Sequence, residues 1–451
     1  MSDSSTQTWA SPAHRRTVNW IVAIAGIAIV FDGYDLVVYG TVLPTLMADP
    51  SQIGAISAQQ AGALGSYALI GVMVGALVSG AVGDYVGRRK MMLVNIAWFS
   101  IGMAAAAMTT SITTFGLWRF ITGIGVGGLV ATAGAVVAEF APAGKRNLYN
   151  AIVYSGVPAG GVLASVLAIV LRDTIGWRGL FWIGALPILF LLPLALIKLP
   201  ESPQWYLARG QADRAEAVAT RFHLPVSTAP ATPDIAAKIG YSALATKRYA
   251  LGTTLLGLMS FAGLLLTYGL NTWLPKIMED AGYDAKGSLW FLFVLNGGAI
   301  LGGLLASRVA DITGPQRVVA TTFGLAALAL VLLTLDLPVS VLLASVSIAG
   351  VGTIGTQVLV YGFVSNYYPT SARAAGVAWC AGFGRLGGIL GPIIGGLLIG
   401  AGFSNEVSFY IFAGVAIMGM AVTFLVPVRS RDDHLLPTPR SVPVDVATVD
   451  G

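Results

Sequence analysis

The 451 residues are 56% hydrophobic and only 10% charged, with a mean hydropathy of +0.78, which excludes a soluble globular protein of this length and leaves a polytopic membrane protein. The net charge of +5 calls for no nucleic acid, because the basic residues fall where membrane topology places them, and the single Cys380 excludes a disulfide within the chain. His14, His223 and His434 stand in separate polar segments, so no metal-ligand spacing exists and neither metal nor cofactor is expected.

Apolar runs long enough to cross about 30 Å of hydrocarbon recur at 18–47, 61–83, 91–110, 112–137, 148–171, 178–199, 250–275, 287–308, 317–335, 338–365, 372–400 and 407–427. They predict an all-α integral membrane protein of twelve transmembrane helices. The expected organisation is a tail at 1–17, a six-helix bundle at 18–200, a polar central loop at 201–249, a second six-helix bundle at 250–427 and a disordered tail at 428–451. Ser2 to Arg16 is polar and no cleavage site of small residues follows the first run, which therefore reads as a retained span and not as a signal peptide. Of the 26 lysines and arginines, 20 fall on the side that an even number of crossings gives to both termini, including Arg15/Arg16, Arg88/Arg89/Lys90, Lys145/Arg146, Lys247/Arg248 and Arg429/Arg431. That side is expected to be cytoplasmic.

The first span carries Asp32 and Asp35 in its middle. Each costs about 2.5–3.5 kcal/mol to place at a bilayer centre, a cost borne mainly where the charge has a task. At i, i+3 the two lie on one side of a helix, the side that faces the bundle or a water-filled cavity. Asp32 stands ~21 Å into the first helix and Arg119 ~10 Å into the fourth, which enters from the opposite surface; the depths match, and an Asp32 to Arg119 ion pair is expected. Making and breaking that pair would load and release a proton; the plainer reading is a fixed pair that docks two helices. Asp35, one turn further out, reads equally as a second proton carrier or as a hydrogen bond at the outer mouth.

After the second span comes Gly80-Ala81-Val82-Gly83-Asp84-Tyr85-Val86-Gly87-Arg88-Arg89-Lys90, and after the eighth Asp311, Gly314 and Arg317 repeat the acid, the glycine three on and a base. An internal duplication of this kind suggests two bundles that rock against one another. Asp84, Arg88, Asp311 and Arg317 are then candidates for gating ion pairs, against the bland alternative of tight turns with topogenic arginines. Gly123 to Gly128 matches G-x-G-x-x-G, but it lies inside a span with no strand before it, so close helix packing accounts for it. Gly144-Lys145 is followed by Arg146 and is not a phosphate-binding loop, so ATP is not the energy source within this chain.

In the second half Arg385 falls near the middle of the eleventh run, with no acid in that half as deep. A guanidinium there suits bidentate pairing with a substrate carboxylate; the alternatives are helix carbonyls or one of the two aspartates. Tyr34, Asn271, Trp273, Gln357 and Tyr361 are candidates for stacking on a ring and orienting it, although such residues in membrane helices more often serve packing or interfacial anchoring.

The Gly80 to Lys90 turn, Arg119-Phe120-Ile121-Thr122-Gly123-Ile124-Gly125-Val126-Gly127, Gly156-Val157-Pro158-Ala159-Gly160-Gly161 and Pro200-Glu201-Ser202-Pro203 together resemble the signatures of the major facilitator superfamily, over about 18–427. Asp32-Gly33-Tyr34-Asp35, Tyr268-Gly269-Leu270-Asn271-Thr272-Trp273-Leu274-Pro275 and Gly384-Arg385-Leu386-Gly387-Gly388 resemble the bacterial aromatic acid:proton symporters within it. The resemblance implies uptake of benzoate-like or hydroxybenzoate-like anions with protons by alternating access. Tyr34-Asp35-Leu36 followed by Tyr39-Gly40 is more similar to the benzoate type. The expected partners are a small aromatic carboxylate, protons and the lipid bilayer, for a monomer in a bacterial cytoplasmic membrane with no enzymatic activity. The alternatives are a proton symporter for another organic anion or a sugar and, more remotely, a membrane receptor or channel.

Overall fold

The computed structural model describes residues 12–141, 146–222, 224, 242, 244–246, 248–368 and 370–427. Residues 1–11, the tail at 428–451, the 225–241 stretch of the central loop and the side chain of Asp84 lie outside the described residues. Among those described, every regular element is a helix, as a chain must be that satisfies its backbone inside hydrocarbon without closing a barrel. Spans 1 to 4 are Pro12–Ala48, Ala58–Val86, Arg88–Ala107 and Ile112–Phe140; spans 7 to 9 are Ala250–Asp280, Ala285–Thr313 and Pro315–Leu332. Span 10 runs Val339–Gly350, through a π turn at Val351–Gly355, into Thr356–Tyr367, and spans 11 and 12 are Thr370–Gly400 and Asn405–Leu425.

Among the described residues there are eleven helical stretches long and apolar enough to cross a membrane, of which Leu148–Lys198 has 51 residues. A straight helix of that length measures roughly 76 Å, far more than a bilayer's thickness. Gly176, at φ 65° and ψ −178°, breaks it in a conformation open to glycine and costly for other residues. Spans 5 and 6 lie on either side, and the chain crosses twelve times.

Helix pairing repeats with the sequence. Spans 1·5, 2·4 and 3·6 pack together in the first half, and 7·11, 8·10 and 9·12 in the second. The contacts between halves, 1·7, 2·11 and 5·8, also map onto themselves when the halves are exchanged, the signature of a parallel repeat about an axis along the membrane normal.

Small residues make these approaches possible, since helix association in lipid rests on close packing and not on apolar burial alone. A Cβ on Gly71, Gly75, Gly123 or Gly127 would stand 2.2, 1.9, 2.1 or 2.0 Å from the carbonyl oxygens of Phe120, Ile124, Ala68 and Val72. The G-x-G-x-x-G stretch is thus spent on backbone contact between spans 2 and 4. Gly127→Val is expected to destabilise the protein by about 1–3 kcal/mol through overpacking, read as a lower midpoint of thermal unfolding in detergent; an unchanged midpoint would mean that the helices separate freely.

Among the described residues, the seam between halves is closed toward one end. At the end bearing the 48–57 and 280–286 loops, Ser66 Oγ donates to the Ile389 carbonyl at 2.6 Å, a Cβ on Gly62 would meet Pro392 O at 2.5 Å and one on Gly40 would meet Asn271 O at 2.0 Å. At the surface of that end Lys286 Nζ reaches Asp173 Oδ2 at 2.9 Å. Gly80 lies five helical turns along span 2 on the same face as Gly62, yet nothing comes within 4 Å of its Cβ position. The interior therefore opens toward the end where span 1 begins.

Candidate functional site

Span 1 sets both acids against opposite parts of the molecule. An i, i+3 spacing leaves about 60° between side chains, and the structure uses that angle. Asp35, fully buried, is ion-paired with Arg119 through Oδ1 and Nη1. The guanidinium carbon lies 5.2 Å from the Tyr39 ring centre and 5.9 Å from that of Phe181, so aromatic faces close the pair off. Asp35 Oδ2 and Arg119 Nε find no further hydrogen-bond partner.

This corrects the expected Asp32 to Arg119 pair. Span 1 begins at Pro12 and ends at Ala48, 37 residues in all, and is longer than the bilayer is thick. Counted from its outer end, Asp35 lies 13 residues from Ala48 and Asp32 16, so the arginine, 7 residues from Ile112, meets the outer of the two acids.

Asp32, only 3% exposed, faces the other half. Among the described residues it makes no hydrogen bond or ion pair, and the strongest charge acting on it is Arg385, ahead of Asp35. Arg385 likewise has no hydrogen bond or ion pair among the described residues. Span 11 can bring it there because span 7 lies almost on its backbone: a Cβ on Gly387 would meet Phe261 O at 2.1 Å, and one on Gly384 would meet Ser260 Oγ at 2.3 Å. An acid and a base thus face each other across the two halves without touching.

Tyrosines stand around these charges. Tyr154 and Tyr268 lie within the field of both Asp32 and Arg385, and Tyr361 within that of Arg385. The Tyr154 hydroxyl donates to the Val130 carbonyl at 3.0 Å. The Tyr268 ring rests on Gly388, where a Cβ would come within 2.7 Å. Gln357 stands two residues beyond the π turn, a feature frequent at functional sites; its Nε2 donates to Ser260 Oγ at 2.9 Å. Asn271 accepts from Asn296 Nδ2 at 2.9 Å and donates to the Thr267 carbonyl at 2.7 Å. Asn296 in turn borders Gly161 of span 5, so these amides lie where the halves meet.

Two expected ring-stacking residues belong to the packing instead. Tyr34 is fully buried and donates to the Leu180 carbonyl at 2.7 Å, tying span 1 to span 6. Trp273, also fully buried, donates to the Pro392 carbonyl at 2.8 Å, tying span 7 to span 11. Conversely Tyr154, Tyr268, Ser260 and Asn296 were not singled out from the sequence. Only Tyr268 carried a signal, one turn before Asn271.

At the open end, Arg88 Nε donates to Glu139 Oε1 at 3.1 Å, an ion pair within the first half. Glu201 accepts from the Arg89 N–H at 3.1 Å and lies against Gly87, whose φ of +105° favours glycine. Asp311 and Arg317 are exposed and form no ion pair among the described residues. Among the described residues, Arg88 thus pairs with Glu139 of its own half, and Asp311 and Arg317 form no ion pair with the first half.

A family model described as Major Facilitator Superfamily matches residues 25–335 and again 287–448. The chain is 31% identical to the benzoate transport protein of Acinetobacter baylyi over 92% of its own length and 90% of that protein's. It is 33% identical to the gentisate transporter of Corynebacterium glutamicum, over 88% and 85%. Its fold is similar to that of the xylose transporter XylE from E. coli in a partially occluded inward open conformation, with a TM-score of 0.73, 19% identity and coverage of 91% of this chain and 98% of that one.

Proposed function

The chain belongs to the Major Facilitator Superfamily and is a multi-pass membrane transporter, not an enzyme, and on that premise we propose that it imports an aromatic carboxylate together with protons. The observation that carries this reading is the uncommitted pair: a buried carboxylate, Asp32, and an arginine, Arg385, each without a bonded partner among the described residues and on opposite halves. A cation held in a membrane interior without a partner is costly and is satisfied by an anion; a planar carboxylate fits the guanidinium fork. Similarity to transporters of benzoate and gentisate supports an aromatic acid.

The coupling follows from charge balance. With the anion seated on Arg385, Asp32 no longer has a cation to face, and taking a proton removes the remaining unpaired charge from the interior. Binding of either ligand thereby favours the other, as linkage requires. Residues 18–200 and 250–427 are the bundles that rock, and the chain sits in a bacterial cytoplasmic membrane with both termini inside, so that the open end faces the cytoplasm. Parting of the 1·7 and 2·11 contacts opens the outer side, and Asp84, Arg88, Asp311 and Arg317 close the inner one. Asn271, Gln357 and Tyr361 orient the ring.

Counterflow in proteoliposomes tests the assignment. Benzoate-like acids are expected to exchange and benzamide not to compete, because a neutral group leaves the arginine desolvated and unpaired. Arg385→Lys keeps the charge but loses the fork, and affinity for the carboxylate is expected to fall by about tenfold or more. Equal competition by benzamide and benzoate would transfer the reading to a neutral substrate such as a sugar.

A further inference from the structure

A recess of about 650 Å³ opens at the start of span 1, lined by Pro12, Arg15, Arg16, Asn19, Trp20 and Ala23. Its size is that of a small-ligand site. The lining residues recur every three or four positions and so form one helical face; the other face, His14, Val18, Ile21, Val22 and Ala25, is buried in the protein. The cationic stripe therefore looks outward, away from the transport path. Span 6 adds a third cation at the same edge, with Lys198 Nζ 5.8 Å from the Trp20 ring centre, and among the described residues no acid lines the recess. Deeper in the membrane the surface turns apolar. Ala23 is exposed, Gly26 has nothing within 4 Å of its Cβ position, and Leu189, Phe190, Leu196 and Ile197 of span 6 are exposed.

We propose that this recess binds an anionic phospholipid of the surrounding leaflet, its phosphate held by Arg16, Asn19 and Lys198, with Arg15 beside them, and its acyl chains lying along Ala23 and the exposed face of span 6. Positive-inside bias explains basic residues near a helix start, but it asks for neither a recess nor a tryptophan ring with a lysine from another span over it. A headgroup phosphate above and hydrocarbon below match the order of surfaces: cations, then the indole that favours the interface, then apolar side chains. Basic pockets of this kind at the cytoplasmic membrane face bind acidic headgroups.

The test is retention of defined lipids by the purified full-length protein, by native mass spectrometry and by thermal stabilisation in detergent. Phosphatidylglycerol, phosphatidylcholine with the same chains, and inorganic phosphate are compared. Phosphatidylglycerol is expected to be retained and to raise the unfolding midpoint where phosphatidylcholine does not. Each cation near an anionic headgroup contributes about fivefold in affinity, so the Arg16→Ala, Lys198→Ala double variant is expected to lose about 25-fold. The Arg16→Lys, Lys198→Arg variant should keep phosphatidylglycerol binding, which separates lost charge from lost fold. Equal retention of the two lipids, or unchanged phosphatidylglycerol binding in the double alanine variant, overturns the proposal. Stabilisation by inorganic phosphate equal to that by phosphatidylglycerol also overturns it, in favour of a site for free anions. So does lipid retention that appears only after residues 1–11 are removed, which would make the chain's own tail the occupant.

Discussion

Asp32→Asn is expected to abolish accumulation of substrate against a gradient while sparing exchange across a membrane at equal pH. Asparagine keeps the shape of the side chain and cannot take or give a proton. Asp32 is buried, has no bonded partner to lose and faces Arg385 across the seam, so little packing is at stake. Uptake in proteoliposomes with an imposed pH gradient should then rise only to the equilibrium ratio of substrate, whereas counterflow should persist. If counterflow vanished too, in a variant with the wild-type unfolding midpoint, Asp32 would be part of the substrate site and proton coupling would have to lie elsewhere.

The spans and their number were legible because the constraint is global. Hydrocarbon admits only segments that satisfy their own backbone, and some twenty apolar residues in a row announce one. Which face of each span looks inward was far less legible. In a soluble helix the polar side marks the water, but spans 1 and 7 are apolar nearly all round, and a tyrosine or tryptophan in them carries no mark of its direction. Tyr34 and Trp273 thus hold helices together, each through a hydrogen bond to a backbone carbonyl of a neighbouring span, while nothing in the sequence marks Tyr154 as facing the charges. Charges were easier to read. Asp32, Asp35, Arg119 and Arg385 stood out because a buried charge is costly wherever it sits; what the sequence lacked was the angle that separates the acids.

Glycines show the same limit from the other side. Gly123, Gly125 and Gly128 match a phosphate-binding pattern by spacing, and only the absence of a strand argued against it. In the structure Gly123 and Gly127 lie on the carbonyls of Ala68 and Val72, and Gly128 on the amide of Asn95. The pattern is real and its cause is contact. Likewise Gly87 and Glu201 are far apart in sequence, and nothing but the fold tells that the turn after span 2 is braced by the segment after span 6.

The Asp35 and Arg119 pair predicts a strongly non-additive mutant cycle. Removing either partner leaves the other's charge buried among Tyr39 and Phe181, and each of Asp35→Asn and Arg119→Gln is expected to destabilise the protein by about 3–5 kcal/mol. Removing both leaves two neutral amides able to hydrogen-bond each other, so the double variant should be more stable than the sum of the singles predicts, by about 1–3 kcal/mol. Unfolding of the purified proteins in detergent measures this. The same cycle built with Asp32→Asn in place of Asp35→Asn should be additive, because Asp32 faces Arg385 and not Arg119. Coupling of Arg119 to Asp32 instead would restore the equal-depth pairing and remove the free carboxylate on which proton coupling depends. Transport separates the two remaining roles of the pair. If the double variant of Asp35 and Arg119 folds and carries substrate uphill, the pair is a dock between spans 1 and 4; if it folds and only exchanges, the pair must open during the cycle, and its proton travels with that of Asp32.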